Sequence, residues 1–265
     1  MREEMETRTF GVELEFVGIP RERAIKAVRF LFRQKFSGFD CDITHLVNCY
    51  HTLYIRDPSG REWSVQRDGS VGNGGRCSCE MVTPILKGTS DILLLQEVVR
   101  AIRKAGGRVD RSCGMHIHIG GKDLTVQNLR ILQNMWAAHE PIIYSGLLVD
   151  SAHRNIDYCA STNPDFLQKL NKAKPKNWLD FWNLWYDGNA YRDNQGNVDY
   201  VALRRNHYNQ SRYRGLNFHS FNMRQTVEFR VFNFTRARSR RPCSSAWLWF
   251  VLPKTKRLRQ LSPQP

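Results

Sequence analysis

Gly114-Met115-His116-Ile117-His118-Ile119-Gly120 is a glycine-bounded run in which a single apolar residue separates two histidines. Side chains alternate between the two faces of a β-strand, so His116 and His118 would point to one side and Ile117 to the other. One face is therefore apolar enough for a core, while the opposite face presents two imidazoles. Taken alone, the run fits a half-buried strand with hydrogen-bonded histidines as well as it fits a binding site.

Other segments of the chain repeat this design, with an apolar face and a second face that carries ionisable groups. They are residues 9–17 with Glu13 and Glu15, residues 226–232 with Glu228 and Arg230, and a shorter strand around residues 79–82 with Glu80. If these strands share one sheet, their polar faces line a common cleft.

Carboxylates on strands that face one cleft would repel each other. Two carboxylates about 4 Å apart, at an effective dielectric constant of about 20, repel by about 4 kcal/mol. Such a cluster is stable only if cations occupy it. Mg²⁺ and Mn²⁺ are suitable because they prefer oxygen ligands and accept an occasional imidazole. Ionisable residues on one strand alone are more simply explained as a solvated strand face. Because the same pattern recurs on four strands, it favours a divalent-metal site.

The remaining pattern predicts an α+β fold, with a mainly antiparallel β-sheet and helices packed on one face. Helices are predicted to begin at Pro20, Ser90 and Thr125. The second and third extend to about Lys104 and Leu148. A further helix has aromatic residues at a spacing that favours core packing over a ligand platform. These residues are Trp178, Phe181, Trp182, Trp185 and Tyr186.

Composition predicts a cytoplasmic protein. The 265 residues contain no apolar run of about 20 residues, and the N-terminus is too charged for a signal peptide. Seven cysteines, an odd number, fit reduced thiols. The net charge is +15, but eight lysines and arginines follow Phe234 without an acidic residue, which leaves +7 for residues 1–233. That excess suits an enzyme of anionic substrates as well as a nucleic-acid binder.

The order of these motifs, from about Thr9 to Phe232, resembles the amidoligase family of the glutamine synthetase and glutamate-cysteine ligase superfamily. The motifs are Gly11-x-Glu13-x-Glu15, Asp68-Gly69-Ser70, Glu80-Met81-Val82-Thr83-Pro84, Gly114-Met115-His116-Ile117-His118, Arg214-Gly215-Leu216-Asn217 and Thr226-Val227-Glu228-Phe229-Arg230. The resemblance implies a sheet of the glutamine synthetase catalytic type. It also implies an ATP-dependent carboxylate-amine ligase, which forms an amide through an acyl phosphate with two Mg²⁺ or Mn²⁺ ions. The substrates would be a small-molecule or peptide carboxylate and an amine.

The resemblance also implies roles for individual residues. Metal ligands would be Glu13, Glu15, Glu80, His116 and Glu228. His118 would contact the nucleotide phosphates, and Arg230 would neutralise the phosphoryl group in transfer. Arg214 or Arg212 would assist Arg230, with Arg212 on the nucleotide side. Asp68 and Ser70 occupy positions of active-site loop residues in the family.

The end of the chain departs from this pattern. Residues 1–233 form the predicted catalytic domain, and residues 234–265 form a basic tail. Arg236-Ala237-Arg238-Ser239-Arg240-Arg241-Pro242 interrupts the apolar helix that follows the last strand in relatives. We interpret the tail as an altered reading frame or a truncated end.

Two other functional classes are compatible with parts of the sequence. Cys77, Cys79 and Cys113 with His116 and His118 provide ligands for a zinc hydrolase, although their spacing matches no recognised zinc pattern. A nucleic-acid-binding module without catalysis is supported by charge alone.

Overall fold

One antiparallel β-sheet of nine strands forms the centre of the structure. The computed structural model describes residues 6–147, 149, 158–188 and 195–233, and all of the following elements belong to this part of the chain. The strands are β1 (Thr9–Phe16), β2 (Thr44–His45), β3 (Leu53–Arg56), β4 (Glu62–Arg67), β5 (Cys79–Val82), β6 (Leu86–Lys87), β7 (Gly114–Gly120), β8 (Leu216–Asn217) and β9 (Thr226–Asn233). Their order is β2-β3-β4-β5-β1-β7-β9-β8, and β6 also pairs with β1. The predicted antiparallel sheet is confirmed.

Seven helices connect these strands within the described residues. They are α1 (Arg21–Lys35), α2 (Gly88–Lys104), α3 (Val126–Gly146), α4 (Pro164–Ala173), α5 (Trp178–Asp187), α6 (Tyr200–Arg205) and α7 (His219–Arg224). A short 3₁₀ helix, Gln210–Arg212, precedes β8. The mixture of helices with an open antiparallel sheet agrees with the predicted α+β class.

The apolar face of the sheet packs against helices α1 and α2. Ile25 and Val28 of α1 recur at helical spacing and are completely buried. The ring of Phe32 on the same helix packs edge-on against Trp63 of β4, with centroids 5.8 Å apart. Burial of this face leaves the alternate residues of each central strand to line the opposite, polar face.

Two of the three predicted helix starts are confirmed. Pro20 is the residue before α1, and the side chain of Thr125 accepts a hydrogen bond from the backbone of Asn128 at the start of α3. The predicted cap at Ser90 is wrong because α2 begins two residues earlier, at Gly88. The backbone nitrogen of Lys87 instead donates to the Asp91 carboxylate at 2.7 Å.

The aromatic residues of α5 are core residues, as their spacing predicts. Phe181 and Tyr186 are completely buried, and the ring of Phe181 lies 5.8 Å from that of Phe218. The ring of Trp185 lies 5.1 Å from that of Phe166 on α4. The helix therefore anchors the chain that leads to β8 and β9.

Helix α7 approaches the polar face of the sheet, unlike α1 and α2. Its Ser220 contacts His118, and its Arg224 contacts Glu13. The expectation that helices pack on one face therefore holds for α1 and α2 but not for α7.

Three further expectations concern composition. The six cysteines that the structure describes are all free thiols, in agreement with the predicted reduced state. None of the described helices combines the length and apolar character needed to cross a membrane. The predicted basic tail lies outside the described residues, so the boundary at residue 233 stays a prediction.

Candidate functional site

Strand register brings the ionisable residues of four strands together on the polar face. Glu13 on β1 is paired with His116 on β7, and Glu15 is paired with Glu80 on β5. We call the resulting group the carboxylate–histidine cluster, and its members are Glu13, Glu15, Glu80, His116, His118 and Glu228. Glu228 on β9 is paired with His118 on β7. The predicted common cleft is therefore a consequence of register.

The two histidines of β7 are linked through Glu13. The Nδ1 atom of His116 lies 3.1 Å from one carboxylate oxygen of Glu13, and the Nε2 atom of His118 lies 3.3 Å from the other. Nδ1 of His118 faces the hydroxyls of Ser220 and Thr226 at 3.0 and 3.1 Å. These two hydroxyls orient the His118 ring so that its Nε2 atom points into the cluster.

Glu15 and Glu80 form the other half of the cluster. The backbone nitrogen of Gly114 donates to Glu15, and the side-chain amide of Gln66 donates to Glu80 at 2.7 Å. Glu15, Glu80 and Asp68 place one carboxylate oxygen each within 4.8 Å of one another. Asp68 therefore belongs to this half of the site, in the loop after β4.

Arg230 supplies positive charge at the far side of the cluster. Its guanidinium donates to Glu228 at 2.5 Å and to the backbone oxygen of Tyr158 at 3.2 Å. The other carboxylate oxygen of Glu228 accepts a hydrogen bond from the Asn217 amide at 2.7 Å. Arg230 is 4% exposed and Glu228 is 3% exposed, so this ion pair is screened from water.

The donor atoms fit hard divalent cations. Three groups can each present three ligand atoms within 4.8 Å of one another: Glu13, Glu80 and His116; Glu13, His118 and Glu228; and Glu15, Asp68 and Glu80. The Nε2 atom of His118 is buried and faces carboxylate oxygens of Glu13 and Glu228 at 3.3 and 3.9 Å, as expected of an atom that ligates a metal together with them. Carboxylate oxygens with one imidazole suit Mg²⁺ or Mn²⁺.

The cysteines do not join these groups. None of the three metal-capable groups among the described residues contains a thiol. Cys79 lies next to Glu80 on β5, and its Sγ donates to the backbone oxygen of Ile19 within the core. The geometry therefore disfavours a zinc site built from Cys79 and the two histidines.

Burial and mutual repulsion shift the pKa values of the cluster. Burial raises the pKa of Glu80 well above 4.5, and the negative charges of Glu13, Asp68 and Glu15 raise it further. Burial also opposes ionisation of Glu228, but Arg230 and the two histidines outweigh burial and lower its pKa to about 2. The two halves of the cluster thus differ, because burial and neighbouring carboxylates raise the pKa of Glu80, whereas Arg230 and the two histidines lower that of Glu228.

The raised pKa of Glu80 predicts a pH dependence in metal-free protein. Below the ordinary pKa of 4.5 the carboxyl is protonated in both the folded and unfolded states, so folding carries no penalty. As the pH rises from 4.5 to the raised pKa, the unfolded state loses its proton while the folded state keeps it, so stability is lost over this interval. We expect the melting temperature of the wild type in chelator to fall more between pH 5 and pH 9 than that of Glu80→Gln.

Thermal unfolding in chelator, followed by circular dichroism at each pH, measures this difference. Glu62→Gln is the matched control, since Glu62 is an exposed carboxylate of the neighbouring strand β4. Parallel melting curves for the wild type and Glu80→Gln across the pH range would contradict the prediction. Added Mg²⁺ should narrow the difference, because a bound cation removes the repulsion.

The other predicted site residues have separate contacts. The Arg214 guanidinium donates to the backbone oxygen of Ser161 at 2.6 Å, and Ser161 is not a member of the cluster. Ser70 is exposed, and its hydroxyl donates to Asp68 at 2.6 Å. The guanidinium of Arg212 lies 5.5 Å from the ring centre of Tyr213, a ring that Arg230 also approaches at 5.8 Å.

Several polar residues of the site were not assigned from the sequence. They are Gln66, Asn217, Ser220, Arg224 and Thr226. Gln66 and Asn217 lie directly opposite Glu80 and Glu228 in the register. Asn217 also ends one of the family motifs, and strand alternation could have found Gln66. No sequence pattern marks Ser220 and Arg224, because α7 reaches the cluster through the fold.

A cavity of about 620 Å³ adjoins the cluster at the end of the sheet where β1 begins. Glu13 and His118 line it beside the cluster, and its other charged lining residues are Arg8, Lys122, Asp123 and Arg224, of which Asp123 is paired with Arg8. Val82, Pro84 and Ile85 contribute apolar surface. We call this the cavity end of the site. The loop that carries Asp68 follows β4 at the opposite end, where β1 finishes.

Carboxylates, histidines and a buried arginine on one sheet face are the side chains that suit divalent cations and anionic ligands. The chain belongs to the family described as "Putative amidoligase enzyme", whose model matches residues 6–241. This match supports ligase activity and confirms the family resemblance drawn from the motifs. Comparison with curated proteins gave no match.

Proposed function

We propose that this chain is an ATP-dependent carboxylate-amine ligase with a fold of the glutamine synthetase and glutamate-cysteine ligase type. The observation that carries the proposal is the carboxylate–histidine cluster, which has Arg230 on one side and a cationic cavity on the other. The family match supports the reaction class. The family and the free thiols also agree with a cytoplasmic enzyme.

Two divalent ions would be held by the two groups that share Glu13. One group adds Glu80 and His116, and the other adds His118 and Glu228. Glu15 lies beside the first of these groups, with an oxygen 3.7 Å from Nε2 of His116. Bound Mg²⁺ or Mn²⁺ would supply charge neutralisation at phosphate oxygens. His118 also borders the cavity, so the ion that it would help to hold is suited to neutralise the nucleotide phosphates.

The cavity end suits the nucleotide. Lys122 and Arg224 line an opening with apolar surface, which suits a polyphosphate attached to an aromatic base, whereas the charge of Arg8 at the same opening is paired with Asp123. Arg224 lies 3.3 Å from Glu13 and so connects this opening to the cluster. The γ-phosphoryl group of ATP would then reach the cluster beside Arg230.

The reaction consists of two successive transfers. A substrate carboxylate oxygen attacks the γ-phosphorus of ATP, the bond between this phosphorus and the bridging oxygen breaks, and ADP leaves. An amine then attacks the carbonyl carbon of the acyl phosphate, loses a proton and displaces phosphate to form the amide. Arg230 stabilises charge on the transferred phosphoryl group, with Arg212 or Arg214 as a secondary cation. Asp68 and Ser70 complete the loop at the substrate side.

The in-line geometry of phosphoryl transfer determines from which end of the cleft the carboxylate substrate enters. The attacking and leaving oxygens lie on opposite sides of the phosphorus. If ADP occupies the cavity end, the carboxylate substrate approaches from the opposite end, past Asp68 and Arg230. A small-molecule or peptide acid and an amine are both compatible with this arrangement.

An ADP-release screen tests the proposed function. Full-length protein is incubated with ATP, Mg²⁺ and panels of amino acids and peptides as acids and amines. We expect ADP release only with both substrates and a divalent ion, and hydroxylamine in place of the amine should yield a hydroxamate by trapping the acyl phosphate. Metal analysis should find no stoichiometric zinc. ADP release that is independent of the acid, or that persists in Glu13→Gln, would contradict the proposal.

A further inference from the structure

Two tyrosines from segments next to opposite edges of the sheet are in contact with each other. The hydroxyl oxygens of Tyr50 and Tyr208 lie 2.5 Å apart and share a hydrogen bond, although 158 positions separate these residues in the chain. Tyr50 lies in the turn between β2 and β3, at one edge of the sheet. Tyr208 precedes β8, the strand at the other edge. The contact therefore joins the two sides of an open sheet.

Tyr50 is held beside the Glu15 and Glu80 half of the cluster. Its backbone oxygen accepts a hydrogen bond from the nitrogen of Arg67 at 2.8 Å, and the next residue is Asp68. The side chain of Asn48 accepts hydrogen bonds from the nitrogens of Tyr50 and Thr52 at 3.1 and 3.2 Å. Tyr50 is thus presented by an ordered turn.

Tyr208 is held beside the Glu228 half. The guanidinium of Arg212 lies 5.8 Å from the ring centre of Tyr208 and 5.5 Å from that of Tyr213. The Tyr213 ring in turn lies 5.8 Å from the guanidinium of Arg230, which is bonded to Glu228. Arg212 also donates to the backbone oxygen of His207 at 2.9 Å, which fixes its direction.

We infer that this pair, the tyrosine strap, crosses the substrate end of the cleft and determines which acids are admitted. This inference rests on the proposed function, because it assigns the strap to the ligase's carboxylate substrate. One tyrosine is anchored beside each half of the cluster, so their contact spans the space between the halves. The side chains are partly solvent-exposed, at 39% for Tyr50 and 56% for Tyr208, so the strap lies at the mouth rather than in the core.

The strap favours slender acids over bulky or branched ones. A substrate must pass beneath or displace the two rings to bring its carboxylate to Arg230. Arg212, stacked on Tyr208, offers a cation at the same mouth for an anionic group. Tyr50 and Tyr208 are therefore specificity-determining residues and take no part in the phosphoryl transfer.

Hydrogen exchange tests whether the strap joins the two segments. Tyr50→Phe and Tyr208→Phe each remove one hydroxyl and keep the ring. Either variant should accelerate exchange about fivefold in both residues 46–52 and residues 206–212, because one hydrogen bond restrains both. Tyr54→Phe, on β3, is the control. Acceleration confined to the mutated residue's own segment would overturn the strap. The hydrogen-exchange experiment does not require ligase activity.

A second comparison tests specificity. With acids of graded size in the ADP-release assay, Tyr50→Ala should raise kcat/KM for bulky relative to slender acids by about tenfold, with an unchanged KM for ATP. An unchanged size ratio would show that the strap is only a structural tie and would overturn the inference. Absence of ADP release with every acid would instead contradict the proposed function. Hydrogen exchange would then still test whether the tyrosine strap joins the two segments.

Discussion

Replacing Glu13 with glutamine is expected to reduce metal-dependent ATP turnover by about 10³-fold or more. Glu13 belongs to two of the three metal-capable groups of the described residues, and its two carboxylate oxygens face His116 and His118 separately. Glutamine keeps the shape of the side chain but removes the negative charge. Its amide NH₂ would also occupy one of the positions that a metal ligand must fill.

The loss should appear in metal binding as well as in turnover. Mn²⁺ titration followed by electron paramagnetic resonance should show weaker binding to Glu13→Gln, and Mg²⁺ should no longer raise its melting temperature. In chelator the variant should be less stable than the wild type, because burial is outweighed by His116 and His118, which hold the pKa of Glu13 well below its ordinary value, and glutamine loses this stabilised charge. Glu62→Gln is the control, because Glu62 is an exposed carboxylate that is paired with Arg56. Wild-type Mn²⁺ affinity in Glu13→Gln would refute the metal assignment.

Replacing Arg230 with alanine is expected to damage both stability and turnover. Its guanidinium neutralises Glu228 from 2.5 Å in a site where both side chains are almost fully buried. Removing one partner of a buried pair leaves the other charge unpaired and destabilises by about 3–5 kcal/mol. Arginines that stabilise transferred phosphoryl groups contribute about 10³-fold or more to turnover. We expect losses of these sizes in denaturant unfolding and in ADP release.

Two further variants separate these effects. Glu228→Gln combined with Arg230→Met removes both charges, so it should recover much of the lost stability without recovering activity. Arg230→Lys keeps one positive charge but loses the guanidinium that also contacts Tyr158. It should be more stable than Arg230→Ala and remain strongly impaired in turnover. A fully active Arg230→Lys would show that charge alone is required, and an active Arg230→Ala would remove Arg230 from the mechanism.

Much of the site could be predicted because strand alternation is a local property. Apolar residues at alternate positions of β1, β7 and β9 determine which side chains face away from the core, and these are Glu13, Glu15, His116, His118, Glu228 and Arg230. The first residues of the helices were predicted less accurately than the faces of the strands. Ser90 and Asp91 are both good capping residues, and only the course of the backbone from β6 decides that Asp91 accepts the bond from Lys87.

Other features depend on contacts between segments that are far apart in the chain. Ser220 and Arg224 reach His118 and Glu13 only because α7 crosses to the polar face after β8. The meeting of Tyr50 with Tyr208 similarly requires the two edges of the sheet to approach each other. No periodicity within either segment contains this information.

The amino-acid sequence by itself determined the four strands that carry the cluster, the apolar and polar faces of these strands, and the family to which the chain belongs. The tertiary structure decided which polar residues meet. Glu13 lies opposite His116 and Glu15 lies opposite Glu80 because of register, which long-range backbone pairing sets. The reason is physical: side-chain alternation follows from the geometry of one strand, whereas ligand distances, burial and the resulting pKa shifts arise only when several strands pack together.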